Sequence, residues 1–172
     1  MGLVLRRDGR FEHAGIPVTH PRLHAALLRG VRFSQAEGVF VTCVRQFRGQ
    51  IEVEDTAFFV VSFDPTSGEI ELSDETRERL DPGALTVDRD DVLRARVKGG
   101  RFAARFTRAG QAHLLDSIDA SRDPPALQIA NVWHPLPGLA EPARAARAPG
   151  PSGDPPGEAP PRPGRPGPEG ES

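Results

Sequence analysis

The chain has 172 residues and a mass of 18.6 kDa, which is enough for one domain or two small ones. Its 22 basic and 24 acidic residues give a formal net charge of −2, and this balance argues against a nucleic-acid partner or a membrane surface. The single cysteine, Cys43, excludes an intramolecular disulfide and a cysteine-rich metal centre. The N-terminal residues lack the apolar core of a signal peptide, so we expect a cytoplasmic protein.

The first elements along the chain are two short strands and a helix. The strands are predicted at 9–13 and 15–19, with a turn at Ala14-Gly15. The helix is predicted to begin at Pro21, with Thr19 or His20 as its cap, and to be closed by Gly30 in a left-handed conformation.

Two hairpins are predicted next. The apolar run 38–44 is rich in β-branched residues, which is typical of a strand covered on both faces, and it is followed by the alternating run 51–55. The second hairpin joins 58–63 to 69–73 across a loop that contains Pro65 and Gly68.

A third hairpin is defined by Gly99-Gly100, since paired glycines favour a two-residue turn and that turn sets the register of both strands. One face of the predicted hairpin is apolar in every pair, with Val97 opposite Phe102. The other face is basic and carries Arg94 opposite Arg105, Arg96 opposite Ala103, and Lys98 opposite Arg101.

A helix at 109–118 capped by Thr107, and a last strand at 126–133 ended by Pro135 and Pro137, complete the predicted elements. Gly9-Arg-Phe and Gly100-Arg-Phe each precede a threonine, a helix with a leucine pair and an apolar strand. This similarity is consistent with an internal repeat or with chance.

We therefore predict an α+β fold of two similar β-rich halves, each with one short helix and mostly antiparallel hairpins. The halves are 1–80 and 81–136. Residues 137–172 contain 11 of the 18 prolines and 7 of the 18 glycines, which predicts a disordered tail.

Asp8-Gly-Arg-Phe, Gly15-Ile-Pro-Val and above all Ile51-Glu-Val-Glu-Asp-Thr-Ala-Phe58 resemble the bacterial domain-of-unknown-function family 1285. Val18 and the Thr56-Ala57 pair depart from the family pattern, which has isoleucine at the first position and alanine-proline at the second. The resemblance covers about residues 8–64 and, more weakly, 85–118. It implies two related repeats of mixed helix and strand and a link to signalling, and it supplies no catalytic residue.

Glu52, Glu54 and Asp55 are the candidates for metal or acid–base chemistry, because carboxylates two residues apart on a strand share a face. The alternative is that Glu52 and Glu54 face water while Asp55 caps the turn at Thr56-Ala57. No histidine completes a metal site with them. His20 and His24 have helical spacing but no glutamate between them, so we predict neither a metal nor another cofactor.

Like charges in direct register destabilise a hairpin unless an anion lies over them. Three arrangements would relieve the repulsion. The basic face could lie against an acidic strand of the same chain, for which Glu52 and Glu54 are the natural choice, it could be solvated, or it could bind an external anion. The candidate ligand-binding residues are those of the basic face: Arg94, Arg96, Lys98, Arg101 and Arg105.

Two other residues have structural explanations at this stage. Cys43 lies in the most apolar strand and is predicted to be an inert core residue, and Trp133 is predicted to close the edge of the core.

The function predicted from these residues is a non-catalytic cytoplasmic binding or signalling module that recognises a small anion or a protein partner. A metal-dependent enzyme that uses Glu52, Glu54 and Asp55 is the alternative. The oligomeric state stays open.

Overall fold

Residues 2–140 are described by a computed structural model, and within them fifteen short strands form three sheets with two helices packed against them. The helices are α1, Pro21–Arg29, and α2, Arg108–Leu115. Neither is long and apolar enough to cross a membrane. The described residues belong to one compact unit. The predicted tail lies almost entirely outside them, and the assignment of 1–80 and 81–136 as separate halves stays a prediction.

The first sheet has six strands in the order β3-β2-β1-β6-β5-β4. Their bounds are β1 Leu3–Leu5, β2 Phe11–His13, β3 Ile16–Pro17, β4 Val31–Ser34, β5 Val39–Val44 and β6 Phe47–Val53. The central pair β1 and β6 is parallel, and the other pairs are antiparallel. Helix α1 packs against β5.

The second sheet also has six strands, in the order β10-β11-β12-β7-β8-β9. Their bounds are β7 Phe58–Asp64, β8 Glu69–Leu72, β9 Arg77–Arg79, β10 Thr86–Val87, β11 Leu93–Val97 and β12 Phe102–Phe106. Its central pair, β12 and β7, is again parallel, and α2 packs against β7. The predicted α+β class with two similar halves is confirmed in this form. The chain passes from one sheet to the other between β6 and β7.

A third, three-stranded sheet follows α2, with strands β13 Ile118–Asp119, β14 Ala126–Ile129 and β15 Val132–Pro135. The prediction of a single strand at 126–133 is wrong, because Ala130 and Asn131 adopt positive φ angles of 48° and 64° and turn the chain back into a hairpin. Pro135 lies within β15, opposite Ala126. Helix α2 ends before the predicted residue 118 because Ile118 already pairs with Leu127.

Helix α1 begins as predicted, with Pro21 in its first turn and the His20 ring accepting a hydrogen bond from the Leu23 amide at 3.3 Å. The predicted left-handed Gly30 is wrong, since its φ is −77°. Glycine is required here by close approach instead. A Cβ on Gly30 would lie 2.3 Å from the carbonyl oxygen of Cys43.

The two large sheets are joined by a group of four aromatic side chains. Phe33 on β4 and Phe40 on β5 meet Phe58 on β7 and Phe102 on β12, with ring centroids 5.1 to 6.1 Å apart. Aromatic pairs at this spacing contribute beyond the burial of their area. The core is therefore continuous from one sheet to the other.

Candidate functional site

The basic hairpin is β11 and β12, and its register is the one that the glycine turn predicts. Arg94 lies opposite Arg105, Arg96 opposite Ala103, and Val97 opposite Phe102. Gly99 and Gly100 have φ angles of 67° and 78°, which suit glycine at both central positions of the turn. The like-charge pair Arg94 and Arg105 is therefore present in the fold and needs compensation.

Two aspartates compensate this pair. Arg94 donates to both carboxylate oxygens of Asp55, at 3.0 and 2.7 Å, and through Nε to Asp88 at 3.1 Å. Arg105 Nη1 lies 3.5 Å from Oδ2 of Asp55, the oxygen that Arg94 contacts at 2.7 Å, and 3.9 Å from Oδ2 of Asp88. We call these four residues the ion network. Its two guanidinium groups and two carboxylates cancel in charge, and the side chain of Arg105 is only 14% exposed.

The ion network lowers the pKa of both aspartates. The hydrogen bonds from Arg94 hold the pKa of Asp55 below its ordinary value. Burial acts to raise the pKa of Asp88, but the amides of Asp90 and Val92 and the Arg94 side chain outweigh it, and that pKa is lowered too. Pairing with Asp55 raises the pKa of Arg94. All of these groups are charged at neutral pH.

Lys98 at the hairpin tip has its own partner. Its ammonium group lies 2.8 Å from Asp74 in the turn between β8 and β9, and Asp74 has a side chain only 3% exposed. Burial opposes ionisation of Asp74, but Lys98 and Thr76 overcome this effect and its pKa is lowered. The Lys98 amide also donates to Glu78 at 2.8 Å. The hairpin tip is thus attached to the neighbouring strands by charge.

The two remaining cations of the predicted set, Arg96 and Arg101, are exposed, and the Arg101 guanidinium lies 5.3 Å from the centre of the Phe102 ring. A ligand role for Arg94, Arg96, Lys98, Arg101 and Arg105 stays a prediction. Three of the five cations already serve the fold through internal ion pairs.

The carboxylates at the end of β6 have roles other than those predicted. Asp55 is bound to Arg94 and does not cap the Thr56-Ala57 turn. Glu52 is exposed, and Glu54 accepts a hydrogen bond from the Arg7 amide at 2.8 Å, so neither compensates the hairpin. Within residues 2–140 no group of three histidine, cysteine, aspartate or glutamate side chains is placed to hold a metal ion.

Three further predictions for single residues have outcomes in the structure. Cys43 is exposed, so the core assignment is wrong, because its strand is not covered on both faces. Trp133 is 37% exposed and does not close the core; the Arg122 guanidinium lies over its ring at 4.2 Å. His24 bonds the Gly9 carbonyl at 2.9 Å while His20 caps α1, so the two histidines do not form a pair.

A groove of about 630 Å³ lies beside the ion network, and we call it the α2 groove. Its apolar wall contains Phe59 and Phe106, which are almost completely buried, and Leu115, which is 49% exposed. Its charged lining residues are three arginines and three aspartates: Arg7, Arg105, Arg108, Asp8, Asp90 and Asp91. A concave, partly apolar site with a few polar groups is the usual form of a ligand pocket.

The walls of the α2 groove are held by polar contacts across the sheets. Gln111 on α2 donates to the Asp91 carbonyl at 3.0 Å and accepts from the Leu93 amide at 3.1 Å. On the opposite side the Arg7 side chain pairs with Asp90. The loop between β10 and β11 is thereby fixed to α2 and to the loop after β1.

Arg108 is the first residue of α2, directly after the Thr107 cap. A cation at a helix N-terminus is opposed by the helix dipole, and the first turn of α2 has no acidic residue. Arg108 is exposed and forms no ion pair within the described part of the chain. The helix start is therefore a local site of positive charge in a groove whose charged side chains balance overall.

Sequence reasoning missed Asp88 and Arg108. Asp88 stands in an acidic stretch, Asp88-Arg-Asp-Asp91, directly before the hairpin, and that stretch was a usable signal for a partner of Arg94. Arg108 follows a predicted helix cap, where a basic residue is unfavourable.

Comparison with solved structures gives the class of fold. The chain is similar to a DUF1285 family protein from Silicibacter pomeroyi, with a TM-score of 0.54 and 15% identity over 79% of each chain. A second similar structure is a DUF1285 family protein from Shewanella baltica, at a TM-score of 0.46 and 14% identity, covering 69% of this chain and 94% of that one.

No family model and no curated protein matches the sequence. At this level of identity, the first likeness shows a DUF1285-like fold over 79% of the chain, which agrees with the resemblance found in residues 8–64.

Proposed function

We propose that the protein is a non-catalytic binding module and that its ligand site is the α2 groove. The ligand would be a small organic anion with an apolar body. Its apolar part would lie against Phe59, Phe106 and Leu115, and its anionic group would lie at Arg108 and the start of α2.

The observation that carries this proposal is the position of Arg108. An anion bound there would meet a guanidinium and the positive end of the α2 dipole, and both favour negative charge. It would also remove the unfavourable interaction between Arg108 and the helix dipole. Among the predicted hairpin cations, Arg105 borders the same groove, but its charge is already compensated by Asp55 and Asp88.

The alternative, an enzyme based on Glu52, Glu54 and Asp55, has less support. Such chemistry needs carboxylates that are free to bind a metal or move a proton. Asp55 accepts two hydrogen bonds from Arg94, and Glu54 accepts one from the Arg7 amide.

The test is a titration of the ¹⁵N-labelled full chain with phenyl phosphate, with phenol as the neutral counterpart. We expect phenyl phosphate to shift the amide signals of Thr107–Ala112 and phenol to leave them nearly unchanged. Arg108→Gln should abolish most of the shift, whereas the exposed hairpin variant Arg96→Gln should retain it. Equal responses of Arg108→Gln and wild type would reject the proposal.

A further inference from the structure

A second concave site lies along α1, beside the first sheet and apart from the α2 groove. It has a volume of about 430 Å³, and none of its lining residues is acidic. We call it the arginine pocket. The residues that define it are Arg22, Arg29, Arg32, Arg45, Gly30 and Cys43.

Helix α1 supplies two of the four arginines. Arg22, Ala26 and Arg29 follow the i, i+4, i+7 spacing, which places them along one face of the helix. The rise of about 1.5 Å per residue puts the two arginine backbones about 10 Å apart. The small side chain of Ala26 leaves room between them.

Arg45 comes from the two-residue turn between β5 and β6. It has a φ of 53°, in the left-handed region that hairpin turns usually fill with glycine or asparagine. A residue with a long side chain is costly there. The turn brings the Arg45 side chain into the same pocket as the helix arginines.

The charges of the pocket are only partly balanced. Arg29 pairs with Glu75 at 3.3 Å, and Arg32 lies 3.9 Å from Asp74, which also binds Lys98. Arg22 and Arg45 form no ion pair within residues 2–140. Four guanidinium groups therefore share two carboxylates, which leaves a local excess of two positive charges.

Two of the four arginines have positions that are explained by stabilisation of α1. Arg29 and Arg32 lie at the C-terminal end of α1, where cations are favourable, and Arg32 donates to the carbonyls of Arg29 and Val31 at 2.7 and 2.6 Å. Arg22 is in the first turn, where the helix dipole opposes a cation, and Arg45 is in a turn. Within residues 2–140 these two arginines have no ion-pair partner that accounts for their position.

We infer that the arginine pocket binds a small molecule that carries two or more phosphate charges. Guanidinium groups bind phosphate oxygens with paired hydrogen bonds, and four of them around one pocket suit a ligand with two phosphate groups better than a ligand with one. The pocket volume accommodates either free pyrophosphate or a diphosphate ester.

Cys43 makes the pocket measurable, because it is exposed, lines the pocket and is the only cysteine in the chain. The experiment follows alkylation of the full-length protein by N-ethylmaleimide, a neutral reagent, with and without pyrophosphate at constant ionic strength. Adenosine diphosphate in a parallel series distinguishes a diphosphate ester from the free anion. Sodium chloride at the same ionic strength is the salt control.

Pyrophosphate or adenosine diphosphate should slow the alkylation of Cys43 at least about fivefold at saturation. The double variant Arg22→Gln with Arg45→Gln should need at least about tenfold more ligand for the same protection, since two charge-assisted contacts are lost. Arg96→Gln, an exposed arginine outside the pocket, should behave like wild type. Arg22 and Arg45 are exposed and form no ion pair in the described part of the chain, so the double variant should keep the thermal unfolding midpoint of wild type.

Protection that is equal in wild type and the double variant would overturn the inference. So would protection matched by sodium chloride, or no protection by either phosphate compound. Binding of phenyl phosphate at the α2 groove is measured in a separate experiment, so the proposal for the α2 groove and the inference for the arginine pocket can be rejected independently.

Discussion

Among single residues, Asp55 has the largest effect on how the hairpin charges are tolerated. It accepts two hydrogen bonds from Arg94 and lies 3.5 Å from Arg105, so one carboxylate serves two like charges. The sequence alone predicts Asp55 either as a metal or acid–base carboxylate or as the cap of the turn at Thr56-Ala57, and neither prediction pairs it with Arg94. Local alternation gives the face of a side chain, and it cannot show which strand will lie beside that face.

Replacing Asp55 by asparagine should lower the free energy of unfolding by about 1–3 kcal/mol at pH 7, because two partly buried guanidinium groups lose a shared carboxylate. The pKa of Asp55 in the fold is below its ordinary value of about 3.9. Its contribution is therefore complete above that value and is lost as the pH falls through the lower folded-state pKa.

Urea unfolding at several pH values measures this effect. The difference between wild type and Asp55→Asn should be constant from pH 7 to about pH 5 and should shrink below about pH 4. Glu52→Gln, an exposed neighbour on β6, is the matched control and should change little. A difference that persists undiminished to pH 2 would show that the carboxylate charge of Asp55 is not what stabilises the hairpin.

Among the secondary-structure elements, the β11–β12 hairpin was the most predictable. Its register depends on two adjacent glycines, and all four pairs from Arg94 with Arg105 to Val97 with Phe102 follow from the turn. The β14–β15 hairpin was missed because its turn, Ala130-Asn131, contains only one residue with a preference for positive φ. Turn chemistry predicts a hairpin well when glycine is present and poorly when an alanine occupies a left-handed position.

Substituting both Gly99 and Gly100 by alanine should destabilise the protein by about 2 kcal/mol, because each alanine would have to adopt a left-handed conformation. A Cβ at either position has no neighbour within 4 Å, so the expected cost comes from the backbone alone. Gly99→Asn is the control and should cost less than about 0.5 kcal/mol, since asparagine accepts this conformation. Equal urea midpoints for the double alanine variant and wild type would contradict the turn assignment.

In the molecule as a whole, two sheets with a parallel central pair share one core through Phe33, Phe40, Phe58 and Phe102. The two-half architecture was predicted from motifs, but those motifs do not occupy equivalent places. Gly9-Arg-Phe leads into β2, which lies beside the central parallel pair of its sheet. Gly100-Arg-Phe leads into β12, which is itself a member of the central pair. Parallel pairing of distant strands has no signal in local periodicity.

A chain that ends at Pro142 should fold with a thermal midpoint within about 2 °C of the full chain. The buried core runs from Leu5 to Leu136, and the compact unit ends at Pro142, so the truncation removes none of it. A loss of 1 kcal/mol would shift the midpoint by roughly 2–4 °C in a protein of this size. Calorimetry of both chains measures the difference, and a drop of more than about 5 °C would show that residues 143–172 support the fold.

The amino-acid order determines the β11–β12 hairpin with its basic face and both helix starts, because each depends on residues a few positions apart. The amino-acid order does not reveal which acidic side chains pair with that basic face. Asp55 and Asp88 approach Arg94 from 39 and 6 residues away, Asp74 approaches Lys98 from 24, and the arginine pocket gathers α1, β4 and the β5–β6 turn. Such contacts arise when strands distant in sequence pair in one sheet and when helices and loops pack on it, because the spacing of these charges along the chain carries no common period.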